Sequence, residues 1–219
     1  MPDEQRTFRR AAEAALVCAT LNAAATVAMA VLLRPGLPPA PPAVRLQYLH
    51  DHAPAWRCSW LLWIVTAVVL VLFYFRLHRA LSAGWRGKIA IVVSFIGLAA
   101  DALGDWIFIE HYPYVYKLSD FAWLDQWTAF LSGGLANGAY TLSWNLLAWR
   151  EPLPRFHLLL FLPGLAGGYG LSISGFANWT PGLVIGTAVA IPCFTLWTFL
   201  VGRFFWKKAQ GADTIAAHA

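Results

Sequence analysis

Charged residues are scarce in this chain of 219 residues. Asp, Glu, Lys and Arg together make up 12% of it, whereas hydrophobic residues make up 59%. A typical soluble domain carries about 25% charged residues, so this composition excludes that class and indicates an integral membrane protein. The net charge of +5 comes from basic residues at the ends of apolar segments. That bias is typical of membrane proteins and predicts no nucleic-acid partner.

Cysteine is also scarce, and the histidines are not arranged as a ligand set. The three cysteines form no C-x-x-C pair, which argues against a disulfide framework or a thiolate metal site. The six histidines do not recur at a common depth on facing segments, so a haem-binding pair is not expected. His50 and His52 alternate with Asp51 in a loop, which is weak support for metal binding. The sequence therefore predicts no metal site.

The usual signatures of hydrolases and nucleotide-binding enzymes are missing as well. No G-x-S-x-G, H-E-x-x-H, Walker or G-x-G-x-x-G signature stands at the required structural position. No lysine lies in the middle of an apolar segment, which argues against a retinal Schiff base. The sequence therefore leaves open whether the protein uses a cofactor and whether it is an enzyme.

Long apolar segments are what the chain has in abundance. Each has about 20 residues, enough for an α-helix to cross the roughly 30 Å hydrocarbon core of a bilayer. We predict an all-α, multi-pass membrane bundle that forms a single domain over residues 1–219. The predicted transmembrane helices are 11–33, 58–76, 89–110, 127–149, 156–176 and 182–205.

Lysine and arginine are divided unevenly between the two ends of these segments. With six spans, both termini share one side of the membrane. Of the 16 basic residues, four lie on the other side, which leaves 12 on the side of the termini. Because cytoplasmic loops are enriched in Lys and Arg, this predicts cytoplasmic termini in a cell (inner) membrane, with the lipid bilayer as a partner. The four residues predicted on the outer side are Arg34, Arg45, Arg57 and Lys117.

Three segments outside the predicted spans differ in character. Residues 34–57 form a proline-rich outer loop, expected to be extended and solvated, with a short interfacial helix over 44–52 and Trp56 at the membrane interface. Residues 111–126 form an acidic and aromatic outer cap, which is either a vestibule that attracts cations or an ordinary wet surface. Residues 207–219 are expected to be a flexible cytoplasmic tail.

The third predicted span carries two carboxylates where lipid disfavours them. Asp101 lies about 18 Å along the span, slightly past its midplane, and Asp105 follows one turn later on the same face. A carboxylate facing lipid costs several kcal/mol, so this face is expected to meet protein or a water-filled cavity. Both residues are candidate catalytic groups, with Asp101 as proton donor or relay. Alternatively, the pair hydrogen-bonds between helices and only stabilises the bundle.

A polar stripe on the fourth predicted span lies at a matching depth. Asn137 is about 15 Å from the outer end of that span, level with Asp101, because the two spans run in opposite directions. Asn137 and Tyr140 are therefore the predicted partners of Asp101. The predicted ligand-binding set combines this stripe with aromatic walls and contains Asn137, Tyr140, Thr141, Trp106 and Trp144.

These residues favour a cavity that binds or acts on a small hydrophobic molecule of lipid or isoprenoid type. Two alternatives remain open. The aspartates could take up protons or cations in a small transporter. The protein could also be an accessory subunit of a larger membrane complex, since small residues at four-residue spacing let another helix approach closely. The ridges that would support a homo- or hetero-oligomer contain Gly134, Gly138, Gly164, Gly168, Gly182 and Gly186.

Overall fold

A computed structural model describes residues 2–149, 153 and 156–211 of the chain. Within these residues the protein is helical and has no strands, which confirms the prediction of an all-α fold. Two π-helical segments, Met29–Leu33 and Ala129–Ala136, continue neighbouring helices, and short 3-10 turns occupy Arg34–Gly36 and Tyr112–Tyr114. The α-helices are α1 (Pro2–Ala28), α2 (Pro42–Asp51), α3 (Ala53–Leu81), α4 (Gly84–Glu110), α5 (Leu118–Thr128), α6 (Asn137–Ala148), α7 (Phe156–Phe176) and α8 (Thr180–Ala209).

Five helical stretches are long and apolar enough to cross a membrane. They are Asp3–Gly36, Ala53–Leu81, Gly84–Tyr114, His157–Phe176 and Thr180–Ala209. The segment predicted as the fourth span, 127–149, is also helical, because α5, the second π-helical segment and α6 follow one another without a break. It is not among the five. Asn137, Thr141 and Asn145 lower its mean hydropathy, and these belong to the stripe that the sequence marks as polar.

The long helices pack against one another in the order of the chain and together form a closed ring. α1 contacts α3, α3 contacts α4, and α4 contacts both α6 and the π-helical segment that precedes it. α6 then packs on α7, α7 on α8, and α8 returns to α1. This arrangement brings the two aspartates on α4 next to the polar stripe on α6, and it leaves room for a cavity inside the ring.

Glycines allow the closest approaches between these helices. A Cβ atom on Gly134 would lie 2.8 Å from the Phe176 ring, and one on Gly164 would lie 2.5 Å from the Trp144 ring. The four other ridge glycines also face side chains of this chain. These glycines therefore serve packing within the chain, and the hypothesis of a homo- or hetero-oligomer stays a prediction. The remaining contacts are Gly138 with Ser172, Gly168 with Thr141, Gly182 with Ser174 and Gly186 with Leu171.

A packed cap covers the end of the bundle where α4 ends and α3 begins. We use the word cap for α2, the Tyr112–Tyr114 turn and α5, which contact one another. Within the segment 34–57, the helix Pro42–Asp51 lies close to the short helix predicted over 44–52, and α3 begins at Ala53, earlier than the predicted start of that span at residue 58. Trp56, expected at the membrane interface, is fully buried, and its Nε1 donates to the Phe108 carbonyl at 2.7 Å. Apolar side chains from five parts of the chain form a separate core here, which explains why the segment folds back.

The expected flexible tail, 207–219, is helical at its beginning. α8 continues to Ala209, and the Lys208 ammonium lies 5.4 Å from the Phe8 ring centroid and 4.8 Å from that of Phe204. Lysines in the last turn are also favoured by the helix dipole. Residues 212–219 lie outside the described part of the chain.

Candidate functional site

Asp101 and Asp105 lie on the inward face of α4. Asp105 is almost completely buried, with 1% of its surface exposed, and Asp101 is half-buried. Small side chains precede them on the same face, including the buried Ser94 and Gly97. The opposite face, with Leu103 and Trp106, is exposed. The helix therefore turns its acids away from the surrounding lipid, as the cost of a lipid-facing carboxylate demands.

Tyr140 of α6 is brought next to Asp101. Its hydroxyl donates to Asp101 Oδ2 across 3.3 Å, and its carbonyl accepts a hydrogen bond of 3.0 Å from the Tyr74 hydroxyl of α3. Gly97 permits this approach, since a Cβ atom there would lie 2.9 Å from Tyr140 Cε1. Three helices therefore position one phenol against one carboxyl. The bond to Asp101 is long for an O–H donor, so it constrains the carboxyl only weakly.

Asn137 does not reach Asp101 as its depth alone suggests. Its Nδ2 donates instead to the Ser132 carbonyl at 2.5 Å, five residues earlier. In the π-helical segment Ala129–Ala136 the wider turn pairs the Ser132 carbonyl with the backbone N–H of Asn137, five residues later, and the Asn137 side chain donates to the same oxygen. Such segments occur frequently at functional sites. Ser132 and Asn137 nevertheless both line the cavity described next.

The ring encloses a cavity of about 1060 Å³. Residues of α1, α3, α4, α6 and α8 line it, and its walls reach from the aspartates to the cap. Of the residues predicted to form a site, Asp101, Asp105, Asn137, Tyr140, Thr141 and Trp144 contribute to the wall. Eight aromatic side chains line the cavity, namely Trp60, Trp63, Tyr74, Phe108, Tyr112, Tyr140, Trp144 and Phe194.

Several polar atoms in this wall are buried without a hydrogen-bond partner among the described residues. They are Asp105 Oδ2, Ser132 Oγ and the indole Nε1 atoms of Trp60, Trp63 and Trp144. Buried polar groups in proteins are almost always satisfied, because leaving one unpaired costs free energy of about 1–3 kcal/mol. A carboxyl oxygen, a hydroxyl and three indole N–H donors around a common space are therefore typical of a site that a ligand or water completes.

Trp106 does not belong to the cavity wall. Its side chain is 53% exposed on the far face of α4 and packs edge-on against His111, with ring centroids 4.7 Å apart. The sequence predicted Trp106 as part of the aromatic wall. Consecutive helical residues are rotated by about 100°, however, so an inward Asp105 turns Trp106 outward. Trp60 and Trp63 of α3, which sequence reasoning missed, supply the aromatic wall on this side.

A second polar cluster, also missed from the sequence, connects the cap to the cavity. The Arg45 guanidinium forms two hydrogen bonds of 2.7 Å with the Asp125 carboxylate, and its Nε donates to the Gly36 carbonyl at 3.0 Å. The Tyr112 hydroxyl donates to Asp125 Oδ1 at 2.7 Å, and Arg45 Cζ lies 4.5 Å from the Phe121 ring centroid. Arg45 is only 3% exposed. The proline-rich loop gives no periodic signal that would have indicated this burial.

Comparison with known proteins identifies no relative, since no protein-family profile, curated protein or solved structure matches the chain. The functional argument therefore depends on the residues and the geometry of the cavity.

Proposed function

We propose that this chain is a multi-pass membrane protein whose bundle binds a small, mostly apolar molecule with a polar group. The polar group is held near Asp101 and Asp105, and the apolar part lies among the aromatic rings of the wall. The cavity of about 1060 Å³ supports this, since pockets for small molecules typically have volumes of about 300–1000 Å³ with a few polar groups in an apolar lining. The observation that carries the proposal is the set of unpartnered polar atoms facing this space.

The wall residues divide into those that contact the polar group and those that shape the cavity. Asp101 and Asp105 provide the carboxyl oxygens, and the Tyr140 hydroxyl, which already donates to Asp101, orients one of them. Thr141 and Asn137 add further polar surface nearby. If the protein is an enzyme, Asp101 is the group placed to donate or relay a proton, because it is the more accessible of the two acids.

Transport is the second candidate function. The cavity extends from the aspartates in the middle of α4 to Arg45 and Asp125 in the cap, so one continuous space joins the site to the end of the bundle. A transported molecule or cation would need such a path. The same aspartates would then bind it during passage rather than act on it.

The proposal includes the complete membrane topology. We propose six spans in one domain of a cell (inner) membrane, with residues 127–149 crossing as the fourth and both termini in the cytoplasm. The uneven division of Lys and Arg supports this orientation. In a cysteine-free background, a single cysteine at Lys117 should react with a membrane-impermeant maleimide in whole cells, whereas one at Arg86 should not. The reverse labelling would refute the orientation.

Native mass spectrometry of the protein released from nanodiscs tests the binding proposal, with lipid extraction of the same sample. We expect one stoichiometric hydrophobic adduct on the wild-type protein and its loss in Asp101→Asn. Asp120→Asn is the matched control, since Asp120 is an exposed acid of α5 outside the cavity wall. A wild-type protein without an adduct, or an adduct that Asp101→Asn leaves unchanged, would contradict the proposal.

A further inference from the structure

We infer that the molecule held in this cavity is an organic cation, namely a protonated amine on an apolar skeleton, bound by the carboxylates of Asp101 and Asp105. This inference rests on the proposed function, because it specifies the class of molecule that the same cavity takes. Four properties of the described residues support it: the burial of the acids, the absence of a counter-charge, the lining of the wall and the composition of the ligand set.

The burial of Asp105 is the first argument. Its carboxyl is 1% exposed, and Oδ2 has no hydrogen-bond partner. A buried carboxylate is expensive unless a positive charge or hydrogen-bond donors compensate it. Asp101, one turn earlier on the same face, accepts the long bond from Tyr140, and the Ser132 hydroxyl also lies beside it. The two acids thus share one face with little to stabilise a negative charge.

No basic side chain of the described residues compensates this pair. The ion pairs found there are Arg9 with Glu13 and Arg45 with Asp125. Arg45 lines the cavity, but both of its terminal nitrogens are engaged by Asp125. Arg34, the other basic residue of the wall, is exposed at the end of the first helical stretch. A cation that enters the cavity would supply the counter-charge that the described residues do not provide.

The aromatic wall favours an organic cation. The face of a Trp or Tyr ring attracts a cation within about 6 Å, and this attraction is strongest where water is excluded. Trp60 is 6% exposed and Trp144 is 3% exposed, and both line the cavity with an unpartnered Nε1. These indole N–H groups provide no counter-charge, but they can donate hydrogen bonds to an oxygen atom elsewhere on the same molecule. An amine that also carries an ether or carbonyl oxygen would satisfy both sets of groups.

The composition of the site does not suit a metal ion. Among the residues that the structure describes, no group of three or more His, Cys, Asp or Glu side chains is placed to hold one. Hard divalent cations take six or more oxygen ligands, and indole nitrogens that donate hydrogen bonds cannot replace them. An ammonium group instead needs one or two carboxylates, to which it donates its N–H groups, and aromatic faces around its carbon substituents.

The test compares two probes that differ in charge alone. Methoxynaphthylethylamine is protonated at neutral pH, whereas methoxynaphthylethanol has the same skeleton and is neutral. Binding of each to the full-length protein in detergent micelles is measured by isothermal titration calorimetry, with protein-free micelles as the blank. We expect the amine to bind at least about tenfold more tightly than the alcohol. We expect Asp105→Asn and Asp101→Asn each to remove most of this preference, and Asp120→Asn to keep it.

The outcomes separate this inference from the proposed function. Equal binding of the two probes, lost in Asp101→Asn, would overturn the cation inference and leave the cavity proposal standing. Binding of neither probe, with no adduct in native mass spectrometry, would overturn both. If either Asp101→Asn or Asp105→Asn does not fold, the other variant still tests the same site. The comparison of the two probes on the wild-type protein needs neither variant.

Discussion

Two parts of this molecule place a tyrosine hydroxyl against a half-buried acid, and they differ in what surrounds that acid. In the cap, Asp125 is held by Arg45 through two hydrogen bonds of 2.7 Å and by Tyr112 through a third of 2.7 Å. In the cavity, no basic side chain of the described residues pairs with Asp101, which accepts a hydrogen bond of 3.3 Å from Tyr140 and has the Ser132 hydroxyl beside it. Asp105, one turn away, keeps an oxygen without a partner.

The comparison distinguishes Asp125, which stabilises the fold, from Asp105, which adds no stability to it. In a bidentate Arg–carboxylate pair with a further donor, both charged groups are paired and hydrogen-bonded. Removing the carboxylate therefore leaves a buried arginine without its counter-charge. An unsatisfied carboxyl contributes no such stabilisation. Proteins keep groups of this kind at sites where binding or chemistry needs them, at a cost in stability. The two regions should therefore respond in opposite directions to the same Asp→Asn change.

The largest expected effect is in the cap. Asp125→Asn leaves the Arg45 cation buried opposite a neutral amide, so it should lower the free energy of unfolding by about 3–5 kcal/mol. The measurement is SDS titration in mixed micelles, followed by tryptophan fluorescence. The double variant Arg45→Met with Asp125→Leu should recover most of the loss, because it removes both charges. If the free energy of unfolding of Asp125→Asn lies within about 1 kcal/mol of the wild-type value, the Arg45–Asp125 pair is hydrated.

A matched pair of Tyr→Phe variants should show an intermediate effect. Tyr112→Phe removes a short hydrogen bond to a charged carboxylate and should lower the free energy of unfolding by about 1.5–3 kcal/mol. Tyr140→Phe removes a long bond and should cost about 0.5 kcal/mol. The same SDS titration compares them, and each variant is the control of the other because both delete one phenolic oxygen. Equal losses would refute the distinction between the two regions.

The smallest expected effect has the opposite sign. In ligand-free protein, Asp105→Asn should raise the free energy of unfolding by about 1 kcal/mol, since a neutral amide of the same shape is less costly to bury than an uncompensated carboxyl. Asp120→Asn, on an exposed position of α5, should stay within about 0.5 kcal/mol of the wild type. A loss at Asp105 as large as that expected for Asp125→Asn would show that Asp105 has a stabilising partner.

The sequence predicts some residues of the site correctly and misplaces or misses others. The pairing of Asp101 with Tyr140 follows from helix geometry and matching depth, and the structure brings these two residues together. The same reasoning misplaced Asn137, whose side chain donates to the Ser132 carbonyl of the π-helical segment instead. It also placed Trp106 in the wall, although an inward Asp105 turns the next helical residue outward. Trp60 and Trp63 were overlooked, although Thr66, three positions after Trp63, is buried and lines the same cavity.

The sequence by itself determined the helical class, the apolar segments and the position of two acids one turn apart on one face. These are properties of local composition and of the helical repeat, which need no knowledge of neighbours. Only the tertiary structure decided that Arg45 meets Asp125 eighty positions along the chain. It also decided that the glycine ridges pack within one chain and that the aspartates face a common cavity. Those outcomes depend on which helix faces meet when the ring closes, and single-helix patterns do not contain that information.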